Sequence, residues 1–220
     1  MPAPSLTRRD ADGLPRGLVL MLHGGRAQGV TPVDDQSASW RRSRWMMSQI
    51  APRLNDAGVS VWLLRYRLRG WNAHVVEPPA PVADARWALE EVRRVLGRLP
   101  VVLLGHSMGA RTAVAVADDP AVTGVVALAP WLPEREPVES LAGRHFAAAH
   151  GRRDRITSPR QTGAFVRRAG SVAASVEMHD MGDAGHYMFR RLPAWNDFAA
   201  GRSLAFTRQP SGREPGPSAQ

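Results

Sequence analysis

The chain has 220 residues, of which 44% are hydrophobic and 22% are charged. This composition is that of an ordinary domain with a sizeable core, and it excludes a chain that is disordered throughout. Cysteine is absent, which excludes disulfide frameworks, thiolate metal sites and cysteine nucleophiles.

The net charge is strongly positive, +9, and all 29 basic residues are arginine. Clustered arginines would indicate a nucleic-acid-binding surface, because they neutralise phosphates. Here the arginines are scattered singly and in pairs along stretches of helical period, as on solvated helix faces, and no zinc-finger or RNP-like motif accompanies them. We therefore expect no nucleic-acid partner.

The first residues, MPAPSLTRRDADG, lack the apolar segment of a signal peptide. No run in the chain approaches the roughly 18 apolar residues of a membrane span. The sequence therefore predicts a soluble, cytoplasmic protein with no membrane partner.

Short apolar runs alternate with longer segments of helical period. In chain order, the predicted strands are Gly17–Gly24, Val59–Tyr66, Pro100–Ser107, Val122–Pro130, Arg144–Gly151 and Ser175–Met181. The predicted helices are Ala38–Ala57, Val82–Leu96, Met108–Ala117, Pro159–Ala169 and Tyr187–Gly201. Nearly continuous apolar strands joined through helices predict right-handed crossovers and a mostly parallel sheet covered on both faces, which is an α/β fold in three layers.

Two segments depart from this alternation. Pro130–Gly143 replaces one crossover helix, contains three prolines and is too short to form a separate lid domain. The tail Arg208–Gln220 is rich in Pro, Gly and Ser and is expected to be disordered. We therefore divide the chain into an amino-terminal extension (1–16), one folded domain (17–201) and a disordered tail (202–220).

The stretch VVLLGHSMGARTAV (Val101–Val114) places a G-x-S-x-G motif between a predicted strand and a predicted helix. In this context the motif is typical of a nucleophile elbow, in which Gly105 and Gly109 avoid collisions between strand and helix. Ser107 would then be presented at the carboxyl end of the strand, facing the amino end of the helix. The alternative is a plain strand-to-helix turn whose serine only caps the helix.

A serine hydroxyl needs a base to become a good nucleophile. Of the seven histidines, His186 lies in MGDAGHYMF, after the last predicted strand and before the last predicted helix. The glycines of that loop let the ring reach back over the sheet edge toward Ser107. We therefore predict His186 as the base and keep His74 as the second choice.

The acid that orients this histidine should follow a strand between the serine and the histidine. Asp154, in AAAHGRRDRITSP, meets that requirement, although it could instead pair with a neighbouring arginine or cap the next helix. Glu134, after the preceding strand, is the alternative. Asp180 and Asp183 lie too close to His186 in the chain to be convenient partners.

An oxyanion hole needs two backbone N–H donors. Met108, directly after the serine, would supply one, and the loop in LVLMLHGGRAQG would supply the other, with Gly25 as first choice and Arg26 as second. That HGG turn could also be a loose turn or a phosphate-binding nest. The chain has no Walker, G-x-G-x-x-G or H-E-x-x-H motif, so we expect no nucleotide cofactor and no metal.

The order Ser107, Asp154, His186 after an upstream HGG resembles the α/β-hydrolase superfamily over roughly Gly17–Ala200. Small actinobacterial-type members are similar in the further stretches RYRLRGWN, ADARWALEEVRR and HGRRDRITSP. The resemblance implies a Ser–His–Asp acyl-enzyme mechanism on a mostly parallel sheet. The region before Gly17 is too short for the two strands that usually precede the HGG strand, so a trimmed sheet of about six strands without a cap insertion is expected.

We therefore expect a carboxylesterase-like serine hydrolase that cleaves a carboxylic ester or related acyl bond of a small molecule. The alternatives are a catalytically silent binding protein with a hydrolase fold, or an acyltransferase, thioesterase or peptidase with the same triad. The residues that would form the pocket walls, or else an ordinary packed rim, are Trp71, Asn72, Trp131, Leu132 and Tyr187. Substrate, acyl-chain length and oligomeric state are left open.

Overall fold

The computed structural model describes residues 3–73 and 77–208. Its seven strands form one sheet and are β1 Ser5–Arg9, β2 Gly17–Leu22, β3 Val59–Arg65, β4 Val101–His106, β5 Val122–Leu128, β6 His145–His150 and β7 Ser175–Asp180. The α-helices are α1 Ala38–Asp56, α2 Ala80–Leu96, α3 Met108–Ala115, α4 Pro159–Ala169 and α5 Leu192–Thr207. A short 3-10 turn, Glu139–Leu141, lies in the proline-containing segment between β5 and β6.

The strand order across the sheet is β1-β3-β2-β4-β5-β6-β7, and every neighbouring pair except β1–β3 is parallel. The residues of β2, β4 and β5 are all buried, as strands covered on both faces must be. The predicted α/β class with a mostly parallel sheet is therefore confirmed.

The helices lie in two layers because the strand order reverses direction. The step from β2 to β3 runs opposite to the step from β3 to β4, so right-handed crossovers place α1 and α2 on opposite faces. Helix α5 packs against α1, and α3 packs against α2. The sheet is thus covered on both sides, and most of the side chains that pack in its core are apolar.

The sheet has one strand more than the six that the sequence predicts. Strand β1 (Ser5–Arg9) pairs antiparallel with β3, within the segment that we expected to be an extension. Its sequence, SLTRR, has no apolar run, because an edge strand leaves most of its side chains exposed. Backbone pairing with β3 therefore creates this strand, and hydropathy gives no sign of it.

The last helix also differs from the prediction. It begins at Leu192, with Pro193 in its first turn, whereas the sequence predicts a start at Tyr187. Proline favours the first helical turn because it has no amide hydrogen to donate. The helix continues to Thr207, beyond the expected domain boundary at residue 201, and residues 209–220 lie outside the described part of the chain.

The carboxyl ends of the parallel strands share one edge of the sheet. Gly25 follows β2, Ser107 follows β4, Asp154 follows β6 and His186 follows β7. Strands β2 and β4 are neighbours at the point where the strand order reverses, which is where ligands bind in open α/β sheets. In the described ranges, no helix combines the length and apolar character needed to cross a membrane.

Candidate active site

Ser107 lies in the turn between β4 and α3, which we call the nucleophile turn (residues 105–109). Its backbone has a φ of 55° and a ψ of −117°, a strained conformation that residues other than glycine rarely adopt. The Ser107 N–H donates to the Leu128 carbonyl at 3.0 Å, and the Ala110 N–H donates to the Ser107 carbonyl at 3.1 Å. Strand β5 on one side and helix α3 on the other therefore hold the strained residue.

The glycines of the nucleophile turn are required by space. A Cβ on Gly105 would overlap the backbone of Gly109 and Ala110. A Cβ on Gly109 would overlap the carbonyl of Leu22, at the end of β2. These overlaps are with backbone atoms, which cannot move aside cheaply, so the close approach of β2, β4 and α3 depends on both glycines.

His186 lies in the loop between β7 and α5, which we call the histidine loop (residues 181–191). Its Nε2 is 3.0 Å from the Oγ of Ser107, although the two residues are 79 positions apart in the chain. His186 is 7% exposed and is therefore buried. This is the distance expected between a nucleophile and its general base.

The second nitrogen of His186 meets the predicted carboxylate. Its Nδ1 is 2.8 Å from Oδ2 of Asp154, and the other oxygen, Oδ1, accepts the N–H groups of Ile156 and Thr157 at 2.8 and 2.9 Å. Burial alone would raise the pKa of the Asp154 carboxyl, but hydrogen bonds from His150, His186 and these two amides outweigh burial and hold it well below its usual range. Asp154 is therefore ionised at neutral pH.

The other acids proposed from the sequence lie elsewhere. Arg152 pairs with Asp180, and Arg153 pairs with Asp183 at 3.1 Å, so these arginines do not pair with Asp154. Glu134 is exposed. His74, the second choice of base, lies outside the described residues.

Two partners of Asp154 are not evident from the sequence. Oδ2 lies 3.0 Å from Nε2 of His150 and 2.8 Å from the hydroxyl of Thr157, which donates to it. The other nitrogen of His150 is 2.8 Å from the hydroxyl of Thr162, on α4. His150 is the last residue of β6, and its side chain is completely buried. In the sequence, a histidine at the end of an apolar strand looks like an ordinary core residue.

The backbone of the histidine loop is held by side chains from two distant elements. Nε2 of His106 is 3.0 Å from the His186 carbonyl and donates to it. Arg42, on α1, donates to the Tyr187 carbonyl at 3.2 Å and to the Met188 carbonyl at 3.5 Å. Burial lowers the pKa of His106 to about 3, so this ring is neutral at physiological pH.

The two amides predicted for the oxyanion hole belong to Gly25, which lines the same groove as Ser107, and to Met108, the next residue in the chain. Neither the Gly25 N–H nor the Met108 N–H has a hydrogen-bond partner within the described ranges. The second choice for Gly25, Arg26, is wrong because its N–H donates to the Arg69 carbonyl at 2.8 Å. A Cβ on Gly25 would overlap the Met108 side chain and the Arg69 carbonyl, so the loop approaches closely only because this residue is glycine.

An open groove of about 560 Å³ runs along Ser107. Trp131 and Tyr187 line it, as the sequence predicts. Trp71 does not line it: this side chain is buried, packs edge-on against Trp131 and contacts the guanidinium of Arg111.

The remaining two residues predicted for the pocket wall have structural positions. Asn72 is buried, and its amide group exchanges two hydrogen bonds with the backbone of Gly29, at 2.9 and 3.0 Å. Leu132 is 2% exposed and belongs to the core. Among residues 3–73 and 77–208, no group of three or more His, Cys, Asp or Glu side chains is arranged to hold a metal ion.

Solved structures with this fold are numerous, and three illustrate the likeness. A serine hydrolase homologue from Coxiella burnetii is 17% identical with a TM-score of 0.65, covering 90% of this chain and 91% of that chain. A lidless α/β serine hydrolase from Xanthomonas campestris is 16% identical with a TM-score of 0.65, covering 94% and 91%. The ferulic-acid complex of Est1E from Butyrivibrio proteoclasticus is 10% identical with a TM-score of 0.70, covering 94% and 96%.

At these identities the likeness concerns the fold. The comparison with curated proteins gave no match. The model of the alpha/beta hydrolase family, in contrast, matches residues 19–217, which is most of the chain and includes all the residues brought together at Ser107. The chain therefore belongs to the alpha/beta hydrolase family.

Proposed function

We propose that this chain is an acyl hydrolase that cleaves a carboxylic ester, or a related acyl bond, through a covalent intermediate on Ser107. The observation that carries the proposal is the unbroken line of hydrogen bonds from Ser107 through His186 to Asp154, at 3.0 and 2.8 Å. A serine, a histidine and an ionised carboxylate in this order are the parts that nucleophilic acyl transfer needs.

In the first half of the reaction, Oγ of Ser107 attacks the carbonyl carbon while Nε2 of His186 takes the hydroxyl proton. Asp154 holds the Nδ1–H of His186, which keeps Nε2 free to accept and stabilises the imidazolium. The tetrahedral intermediate collapses, His186 returns the proton to the departing alcohol, and the acyl group stays on Ser107.

In the second half, a water gives a proton to His186 and attacks the acyl carbon. The second tetrahedral intermediate then collapses, the bond to Ser107 Oγ breaks, and His186 returns the proton to that oxygen, which releases the carboxylic acid and restores the serine. The negative oxygen of both tetrahedral intermediates would accept hydrogen bonds from the N–H groups of Gly25 and Met108. The amino end of α3 favours the same charge.

The groove size suits a small-molecule substrate. Its volume of about 560 Å³ falls within the range of about 300–1,000 Å³ that is usual for such ligands. The likeness to Est1E, whose structure holds ferulic acid, agrees with a small carboxylic acid as product.

Labelling with a fluorophosphonate probe, which modifies activated serines, tests this function. We expect the wild type and the Ser48→Ala control, which alters an exposed serine of α1, to be labelled, and Ser107→Ala to be unlabelled. A panel of p-nitrophenyl esters of increasing chain length, with a thioester and an anilide of one acyl group, identifies the bond cleaved.

Three results would contradict the proposal. An unlabelled wild type that hydrolyses none of the panel would favour a binding protein with a hydrolase fold. Equal labelling or equal hydrolysis by Ser107→Ala would place the chemistry at another residue. Acyl transfer to an added alcohol in preference to water would make the chain an acyltransferase with the same triad.

A further inference from the structure

The groove beside Ser107 is positively charged. Arg26 and Arg69 line it, and none of the described residues that line it is acidic. A concave surface lined with one sign of charge concentrates ligands of the opposite sign. The charge of the groove should therefore influence which acyl substrates bind in it.

Arg26 is the cation in this groove without an internal partner. In the part of the chain that the structure describes, its side chain makes no ion pair and no hydrogen bond. By contrast, Arg69 is 3.0 Å from Oδ2 of Asp34 and also donates to the carbonyl of Pro32. The positive charge of Arg69 is thus largely compensated, whereas that of Arg26 is available to a ligand.

The position of Arg26 is fixed although its side chain is exposed. Its N–H donates to the Arg69 carbonyl, and its carbonyl accepts from Trp71, both at 2.8 Å. It directly follows Gly25, whose N–H faces the reaction in the proposed mechanism. These hydrogen bonds therefore fix the backbone from which the Arg26 side chain extends, one residue from the proposed oxyanion hole.

A second polar group faces the same groove. The hydroxyl of Ser39, in the first turn of α1, lines it and has no hydrogen-bond partner among the described residues. The amino end of a helix carries partial positive charge, which adds to the potential that Arg26 creates. The helix end alone would not define a site, and the free guanidinium is what makes the groove selective.

We propose that the groove takes an anionic ester, one whose acyl or alcohol part bears a carboxylate or a phosphate that pairs with Arg26. This inference rests on the proposed acyl-hydrolase function and specifies its substrate class. A guanidinium offers two parallel N–H donors to the two oxygens of such a group, so it recognises both charge and shape. Arg26 is then a specificity-determining residue, and Ser39 adds a further hydrogen bond.

Two matched pairs of esters test the proposal and locate the anion. The first pair compares mono-4-nitrophenyl succinate, which has a carboxylate on its acyl part, with the neutral 4-nitrophenyl butyrate. The pair 4-carboxyphenyl butyrate and 4-carbamoylphenyl butyrate places the charge on the alcohol part. In at least one pair, we expect the wild type to have a kcat/KM about tenfold higher for the anionic ester, with the preference shrinking as salt screens the charge.

Variants at Arg26 separate recognition from catalysis. Arg26→Gln should lower kcat/KM for the preferred anionic ester by about tenfold and leave its neutral partner within about twofold. Arg26→Glu should reverse the preference. Arg98→Gln is the control, because it removes the same charge from an exposed arginine that has no ion pair among the described residues. Arg98 lies just before β4, at the opposite end of that strand from Ser107.

The proposal and the function fail in different ways. If Ser107 hydrolyses the neutral esters and neither anionic ester is preferred, the substrate class is wrong and the function stands. A uniform loss on all four esters in Arg26→Gln would also overturn the assignment of Arg26. If the fluorophosphonate probe does not label Ser107 and no ester is cleaved, the function itself is wrong and the substrate class falls with it.

Discussion

The nucleophile turn and the histidine loop meet at the 3.0 Å contact between Ser107 and His186, yet they are shaped by different means. The turn has five residues: its two glycines allow a strand and a helix to approach closely, and a strained serine lies between them. The histidine loop has eleven residues in its 181–191 span, and its backbone is held by His106 from β4 and Arg42 from α1. The turn is thus shaped by its own residues packed against β2 and β5, whereas the loop is held by side chains from elements distant in the chain.

This difference predicts where variants should act. A change in the turn removes the close packing of backbone on backbone, so its effect should appear in stability. A change among the partners of His186 leaves the sheet intact, so its effect should appear in activity or in the pH dependence of stability.

The largest effect is expected at Asp154, the partner that sets the tautomer of His186. In Asp154→Asn, the amide can donate to Nδ1, which leaves Nε2 protonated and unable to accept the Ser107 proton. We expect kcat for a p-nitrophenyl ester to fall by about 10⁴-fold with the fold unchanged by circular dichroism. Asp183→Asn and Glu134→Gln are the controls, and a comparable loss in either would assign the acid differently.

Next in size is the effect of adding a methyl group in the turn. Gly109→Ala should lower the free energy of unfolding by about 3 kcal/mol or more, because its Cβ would overlap the Leu22 carbonyl. The matched control is Gly163→Ala, in the middle of α4, where a Cβ has room; it should stabilise the chain by about 0.5–1 kcal/mol. Denaturant unfolding measures both, and equal effects would mean that the turn is less tightly packed than described.

The smallest effect concerns how the free energy of unfolding depends on pH through His106, whose ring holds the histidine loop. The pKa of His106 is lowered by burial to about 3, whereas a histidine in an unfolded chain titrates near about 6.5. Between these values the unfolded chain binds a proton that the folded chain does not. Acidification therefore lowers the free energy of unfolding by about 1.4 kcal/mol per pH unit for this residue, and the contribution is complete only above the unfolded pKa.

His106→Gln keeps a donor for the His186 carbonyl and removes this titration. Unfolding measured at several values between about pH 6 and pH 4.5 should then show a shallower loss of stability than in the wild type. His23, whose pKa burial lowers to about 4, should account for part of the remaining slope. An unchanged slope in His106→Gln would mean that His106 is not held neutral.

Much of the fold was predictable because buried parallel strands are long apolar runs. Strands β2 to β7 and helices α1 to α4 lie within two or three residues of their predicted bounds. Strand β1 was missed because an exposed edge strand has no hydropathy signal. The start of helix α5 was predicted at the wrong residue. Pro193 and the left-handed backbone of Arg191 set that start, and apolar periodicity contains no information about either.

The same limit applies to the site. Ser107, Asp154 and His186 follow strands that share one sheet edge, so chain order was enough to select them. His150 and Arg42 could not be selected, since a buried histidine at a strand end and an arginine on a helix look like core and surface residues. Of the five residues predicted for the pocket wall, only Trp131 and Tyr187 line the groove, because sequence does not show which of two tryptophans such as Trp71 and Trp131 will face it.

By itself, the sequence determined the features that depend on neighbours in the chain: the serine between two glycines, the alternation of strands and helices, and the order of Ser107, Asp154 and His186. Only the tertiary structure decided which distant groups converge on them, as His106, Arg42 and His150 do around His186 and Asp154. The physical reason is range. Backbone sterics act over a few residues, whereas hydrogen bonds and charges join any groups that packing brings within about 3 Å.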